Sequence, residues 1–187
     1  MGEIFVCSDL HFNHKNIIEY EHRPWPDKEA MNEGLIQRWN AAVSDSDMVY
    51  MLGDVGFCGK TKATALVSRL NGYKILVLGN HDLGRSNDYW MDVGFNEVHK
   101  KLHIQYGGKH IVMAHEPPEY TQAGMFYMYG HVHGDPAFPD WTESSACVCI
   151  ERLNYAPARL GDVLSGRAYQ HREGVALPEW RWRDETK

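Results

Sequence analysis

Five apolar runs in this chain break off into the same few polar residue types, and that repetition limits what the chain can fold into. GEIFVCSD leads to Asp9 and His11, DMVYML to Gly53-Asp54, and YKILVL to Gly79-Asn80-His81-Asp82. HIVMA leads to His115, and MFYMY to Gly130-His131-Val132-His133. Each run is short, apolar and closed by polar or turn residues, which reads as a buried strand. YKILVLGNHD is nearly continuous in its apolar character, as in a sheet covered on both faces. Helical patterns separate the early runs. Residues 28–43 carry Met31, Leu35, Ile36 and Trp39 at helical spacing after a loop marked by Pro24 and Pro26, and KTKATALVSRL forms a second helix closed by Asn71-Gly72.

The first half therefore alternates strand and helix, while the second is mainly strands. LHIQYGGKHIVMAH reads as a hairpin turning at Gly107-Gly108, and MFYMYGHVHG and ACVCIERL as further strands, the latter with Cys147 and Cys149 on one face. PARLGDVLSG reads as a short late helix, and the stretch through Trp180 and Trp182 as a terminal strand or packed tail. This order predicts an α/β fold, a two-sheet β-sandwich flanked by helices. With 187 residues and no repeat or linker, one domain is expected over 1–187, with a core at about 3–165 and a tail at about 166–187.

Composition excludes several classes of function. The net charge is −6 and no basic run exceeds two residues, so no long nucleic acid is expected as a partner. No apolar run approaches the ~18 residues of a membrane span. The opening MGEIFVCSDLHF has neither a basic segment nor a small-residue cleavage site, and Val6 stands where a myristoylation motif needs Ser or Thr. The four cysteines, Cys7, Cys58, Cys147 and Cys149, form no disulfide framework and are expected to pack in a reducing, cytoplasmic setting.

In open α/β sheets the carboxyl ends of strands face a common crevice. Asp9, His11, Asp54, Asn80, His115, His131 and His133 should converge there: two carboxylates, one amide oxygen and four imidazoles. That inventory suits metal ions, Mn²⁺ first and Fe, Zn²⁺ or Ni²⁺ also, over Ca²⁺. Seven ligands exceed one ion and suit two sharing a bridge, roughly 3.5–4 Å apart, a pair that clamps the oxygens of a phosphoryl group. Two dications against two carboxylates leave a local charge of about +2, enough to draw a small phosphorylated substrate to an acidic protein. Gly53, Gly79 and Gly130 would let the backbone turn sharply beside the ions.

These residues resemble the calcineurin-like metallophosphoesterases. Asp9-Leu10-His11, Gly53-Asp54, Gly79-Asn80-His81-Asp82, His115 and Gly130-His131-Val132-His133 follow that family's order and approximate intervals over residues 3–165, and SDLHFNHKNIIEYEHRPW is similar to a compact subgroup from bacteria and their phages. The resemblance implies the α/β/β/α architecture of that family. It implies one metal on Asp9, His11 and His133, the other on Asn80, His115 and His131, and Asp54 as the bridge. It further implies in-line attack by a hydroxide between the metals, with Asn80 near the substrate and His81 protonating or stabilising the departing oxygen. One departure matters. Protein phosphatases of the superfamily carry GDxxDRG, whose second Asp pairs with the catalytic His; this chain reads Gly53-Asp54-Val55-Gly56-Phe57-Cys58-Gly59.

The expected activity is hydrolysis of small phosphodiesters such as 2′,3′-cyclic nucleotides. No cap domain is evident, the phosphatase arginine is missing, and a strained cyclic diester needs less leaving-group assistance. A phosphomonoesterase or pyrophosphohydrolase would use the same residues. A nuclease is disfavoured by the missing basic groove, and a binding scaffold by the intact ligand set. His14 either contacts substrate phosphate or the attacking group, or begins a helix. Arg23 and Arg85 either hold a phosphate at the mouth or are surface arginines. His22, His99, His103, His110 and His171 read as structural or surface residues, and Phe126, Tyr127 and Tyr129 as core. The sequence does not fix an oligomeric state.

Overall fold

The computed structural model describes residues 2–170; His171, Trp180, Trp182 and the expected terminal strand lie outside them. The first three apolar runs become β1 (Ile4–Cys7), β2 (Met48–Met51) and β3 (Tyr73–Val77), which lie side by side and parallel, with β4 (Glu97–His99) parallel beyond β3. The second half builds another sheet from β5 (Leu102–Tyr106), β6 (Lys109–Met113), β7 (Met125–Tyr129) and β8 (Ser145–Cys147). There β5 and β6 are antiparallel, and β7 and β8 continue parallel to β6. The two-residue strand β9 (Ala158–Arg159) returns to pair antiparallel with β1 at the edge of the first sheet. The expected α/β fold with two mixed sheets is what the chain forms, and a single apolar cluster runs through side chains of both sheets.

Local chemistry accounts for these elements. Helix α1 (Asn16–Tyr20) is a short turn after the first candidate residues, and α2 (Lys28–Ala42) is the long helix of the first crossover. The Asp27 side chain starts α2 by accepting from the Ala30 N–H at 2.7 Å. Met31, Leu35, Ile36 and Trp39 are all buried, as their spacing predicts. Helix α3 (Lys60–Val67) occupies the second crossover. Gly107 and Gly108, with φ of 57° and 75°, provide the left-handed pair of a tight hairpin turn between β5 and β6.

Helix α4 (Asn87–Val93), capped by Ser86, and β4 do not show in the sequence pattern, because seven and three residues are too few for a period to emerge. The expected strand ACVCIERL is shorter than anticipated. β8 ends at Cys147, Cys149 lies in an isolated bridge with Ser8, and Ile150–Leu153 tightens into a 3₁₀ turn before α5 (Leu160–Leu164). All four cysteines are free, and Cys7, Cys147 and Cys149 are buried.

The strand ends do not simply splay into loops. Beyond β1 and β2 the two chains stay paired: the Asp9 N–H donates to the Gly53 carbonyl at 3.0 Å, His11 to Asp54 at 3.1 Å and Phe12 to Val55 at 3.0 Å. The buried Asp82 carboxylate then ties this pair to the end of β3 by accepting from the N–H groups of Asp54 (2.8 Å), Val55 (3.1 Å) and Gly79 (2.9 Å). Removing that acceptor leaves three buried donors without a partner, and each costs about 1–3 kcal/mol. Asp82→Ala should therefore destabilise the metal-free protein by roughly 3 kcal/mol or more. Urea unfolding should show a lower midpoint at an unchanged slope; a midpoint within error of the parent would refute this role for Asp82.

Candidate metal centre

The paired strand ends place Asp9, His11 and Asp54 in one buried cluster, and β6 and β7 deliver the remaining histidines to it. His11 Nε2 lies 3.6 Å from Asp9 Oδ1 and 3.5 Å from Asp54 Oδ2. His133 Nε2 lies 3.6 Å from Asp9 Oδ1, and His115 Nε2 lies 3.4 Å from Asp54 Oδ2. Asn80 Oδ1 sits 2.9 Å from His115 Nε2 and 3.1 Å from His131 Nδ1. All seven expected donors are thus brought together, with Asp54 Oδ2 shared between a group formed by Asp9, His11 and His133 and one formed by His115, Asn80 and His131.

These spacings suit cations better than hydrogen bonds. Separations of 3.4–3.6 Å exceed a normal N–H···O bond, yet two donors that each lie ~2.0–2.2 Å from a shared ion are spaced at roughly 3–3.5 Å. Both ring nitrogens of His11 and the Oδ1 atom of Asp9 are buried with no hydrogen-bond partner. His115 Nδ1 donates to the Leu52 carbonyl at 2.7 Å, so its Nε2 lone pair faces only oxygens, and a proton or a cation has to lie between. His133 Nδ1 is likewise held by the Glu151 carboxylate at 3.1 Å, aiming Nε2 at Asp9. The residues present fit two divalent cations.

Ionisation follows the same geometry. Burial alone would raise the Asp9 and Asp54 carboxyls, but the surrounding histidines hold both below the usual carboxylate range. Burial pushes His11 down. Burial also opposes protonation of His115, but the Asp54 carboxylate, Asp9 and the Leu52 carbonyl outweigh it and push its pKa up to about 9.

The backbone is unusual at these positions. Asp9, His11, Asp54, His131 and His133 all have positive φ, between 45° and 71°, a region costing a non-glycine residue on the order of 1 kcal/mol. Gly53, with φ 93°, makes the expected sharp turn. At Gly79 and Gly130 the expectation needs correcting, since neither has positive φ. They are glycines because a Cβ would collide with Asp54 at the first and with Asp9 and Ser8 at the second.

Other expectations also change. Arg23 is neither a surface residue nor a phosphate holder. It is buried, with Nε on Glu151 at 2.9 Å, Nη1 on the Leu10 carbonyl and Nη2 on the Asp9 carbonyl, both at 2.8 Å, so its donors are spent on the scaffold. Arg85 is laid over the rings of Tyr89 and Trp90, 5.3 and 5.6 Å from their centroids, and donates to the His81 carbonyl. His14 follows a turn closed on the His11 carbonyl, and its ring stacks on Phe57 with centroids 4.1 Å apart. His81 is 45% exposed, with Nε2 3.9 Å from Asp54 Oδ2 and its N–H on Asp54 Oδ1 at 3.0 Å. Asp82 points away from it into the backbone. Glu151 was missed, because the partners that reveal its role, Arg23 and His133, are 128 and 18 residues away.

An open cleft of about 900 Å³ borders His131 and His133 and is lined also by Tyr20, Glu21, His22 and Glu116. No lysine or arginine is among the described residues lining it. His99 pairs with Glu97, and His103 packs edge-on against His110 across the hairpin.

Fold and site together define a two-sheet α/β protein whose strand ends carry a carboxylate–imidazole centre fitted to two cations. No family model matches the sequence. The chain is 35% identical over 168 residues to the uncharacterized protein MJ1445 of Methanocaldococcus jannaschii, covering 86% of this chain and 88% of that one, and it belongs to that protein's family. It is also 28% identical over 161 residues to the gene 66 protein of Mycobacterium phage D29, covering 71% of this chain and 79% of that one. Among solved structures, the protein of unknown function AQ665 from Aquifex aeolicus shares the fold at a TM-score of 0.66 and 23% identity, over 84% of this chain and 95% of that one.

Two measurements test the centre. A histidine whose folded pKa is raised contributes stability that is full below its unfolded value near 6.5 and lost as pH rises through the folded one, about 9 for His115. Metal-free protein should lose thermal stability between pH 7 and 9, and Mn²⁺ should abolish that loss by taking the proton's place. Parallel pH profiles with and without Mn²⁺ would contradict this. Glu151→Gln should weaken Mn²⁺ binding by roughly 10–100-fold in calorimetry, since it removes the charge that orients His133. Arg23, in the loop between α1 and α2, would also lose its buried counter-charge, at a cost of about 3–5 kcal/mol in stability.

Proposed function

We propose that the protein is a metal-dependent phosphoester hydrolase acting on small phosphodiesters, 2′,3′-cyclic nucleotides foremost. The observation that carries this reading is the cluster of seven donors in which one oxygen, Asp54 Oδ2, lies between His11 and His115, with the imidazole of His81 beside it. Asp9, His11 and His133 would hold one cation and Asn80, His115 and His131 the other, with Asp54 between them and Mn²⁺ the first candidate. Bound there, two divalent cations would supply Lewis-acid charge and a water of lowered pKa.

The chain's own side chains have separate tasks. Asp54 has one oxygen occupied by the His81 N–H, which fixes the carboxylate and leaves Oδ2 for the cations. His81, exposed at the rim, is placed to give a proton to the departing oxygen. Asn80 stands between His115 and His131, close to any phosphate oxygen that enters.

The preference for a diester rests on charge. A monoester dianion is usually received by arginine, but Arg23 is spent on the scaffold, Arg85 lies on Tyr89 and Trp90, and the cleft is lined by Glu21, Glu116 and Asp135. A singly charged diester meets less repulsion there.

The reaction is tested by steady-state hydrolysis in Mn²⁺ of 2′,3′-cyclic AMP, 3′,5′-cyclic AMP, bis-p-nitrophenyl phosphate and p-nitrophenyl phosphate. Asp54→Ala should reduce turnover to background. His81→Ala should lower kcat on the cyclic nucleotide by ~10²–10⁴-fold, and less on p-nitrophenyl esters, whose leaving group needs little protonation. Turnover of the monoester alone would sink the diester reading.

A further inference from the structure

Phe57 stands where protein phosphatases of the resembling superfamily have the Asp that pairs with the catalytic histidine. Its ring lies 4.6 Å from that of His81, 4.1 Å from His14 at an interplanar angle of 25°, and 5.5 Å from His11 at 15°. Phe57 is nevertheless 37% exposed, and Tyr20, 66% exposed, meets His14 edge-on with centroids 6.5 Å apart. Phe57 is held by the segment Phe12-Asn13: its N–H donates to the Phe12 carbonyl at 2.8 Å, its carbonyl accepts from Asn13 Nδ2 at 3.2 Å, and the preceding Gly56 forms a bridge with Phe12.

We propose that Phe57, backed by His14 and flanked by Tyr20, is a stacking subsite for a planar heterocycle of the substrate, so that the phosphodiester it accepts carries a nucleobase. Phe57 and His14 are already stacked, and the part of Phe57 that is open to water can receive a third ring. Stacking an aromatic group on such a face removes apolar surface from water and adds favourable ring–ring contact. The position fits the chemistry as well, since the ring touches His81, and in a cyclic nucleotide the base is attached to the ribose that carries the departing oxygen. Phe57 offers no donor or acceptor to a base edge, so the subsite selects for a base over no base and discriminates weakly among bases. This inference rests on the proposed diesterase reading and specifies its substrate class.

The test compares 2′,3′-cyclic AMP with glycerol 1,2-cyclic phosphate, the same five-membered diester without a base, in Mn²⁺-loaded protein. The parent should favour the nucleotide in kcat/KM, and Phe57→Leu should reduce that preference roughly 5- to 100-fold, chiefly through KM. Phe57→Trp, which keeps a planar ring, should retain it. A preference preserved in Phe57→Leu, with both substrates slowed alike, would show that the ring only positions His81 and would overturn the subsite. Calorimetry with adenosine 3′-monophosphate and glycerol 3-phosphate supplies a readout independent of turnover. If the parent hydrolyses neither diester, the proposed reaction fails; tighter binding of the adenosine compound, lost in Phe57→Leu and kept in Phe57→Trp, would still uphold the subsite. Equal binding of the two compounds by the parent would overturn it.

Discussion

Two sheets can share one core only if something fixes how their ends meet, and in this protein that junction is built around the carboxylate of Asp9. The Ser8 N–H donates to the Val148 carbonyl and the Ile150 N–H to the Ser8 carbonyl, which stitches the end of β1 to the chain beyond β8. Asp9 follows at once. Its Oδ2 accepts from the Ser8 hydroxyl, the His131 N–H and the Cys149 thiol, drawing in segments from both sheets. With one oxygen consumed by the fold, the other faces His11 and His133 and takes no hydrogen bond from the protein. The same side chain therefore sets the relation of the sheets and the direction of a cation ligand, and neither role can change without the other.

The left-handed backbone at five donor positions shows what that arrangement costs. At about 1 kcal/mol each, the distortions amount to a noticeable part of the 5–15 kcal/mol that stabilises a typical domain. They persist because the surroundings overdetermine them. The continued pairing of residues 9–12 with 53–57, the Asp82 carboxylate on three N–H groups, and Arg23 on the Leu10 and Asp9 carbonyls all act on the same few peptide units. A loop free to relax would leave this region of φ. Held there, the side chains of Asp9, His11, Asp54, His131 and His133 converge before any cation arrives, so binding need not order them.

The donors were legible in the sequence because their signal is local: a polar residue of ligand type directly after an apolar run. The alternation of strand and helix pointed to layered α/β for the same reason, and the pattern of α2 is long enough to show its period. What was not legible depends on distance along the chain. Nothing near Arg23 distinguishes a phosphate-binding arginine from one that reaches 128 residues to Glu151. Nothing in the sequence beside Asp82 shows that its carboxylate is taken by the backbone donors of another loop. Gly79 and Gly130 were recognised as special for the wrong reason: the constraint is a neighbour's carboxylate, not their own torsion. The left-handed ligands carried no signal at all, since Asp and His tolerate that region without announcing it.

Electrostatics then divides the work between the protein and its ions. The buried positive charge of Arg23 answers Glu151, and Glu151 in turn supports His133, so this third carboxylate adds no net charge to the centre. Around the opening, Glu21, Glu116 and Asp135 line the cleft, and the nearby Arg85 lies on aromatic rings. The scaffold by itself would repel a phosphate. On the proposed reading, attraction would come from the cations, would be short-ranged because the surrounding charge opposes it, and would be strongest for a group that reaches the ions without leaving a second negative charge in the acidic cleft. On the same reading, a chain with net charge −6 receives its anion where seven donors can hold the charge that reverses its sign.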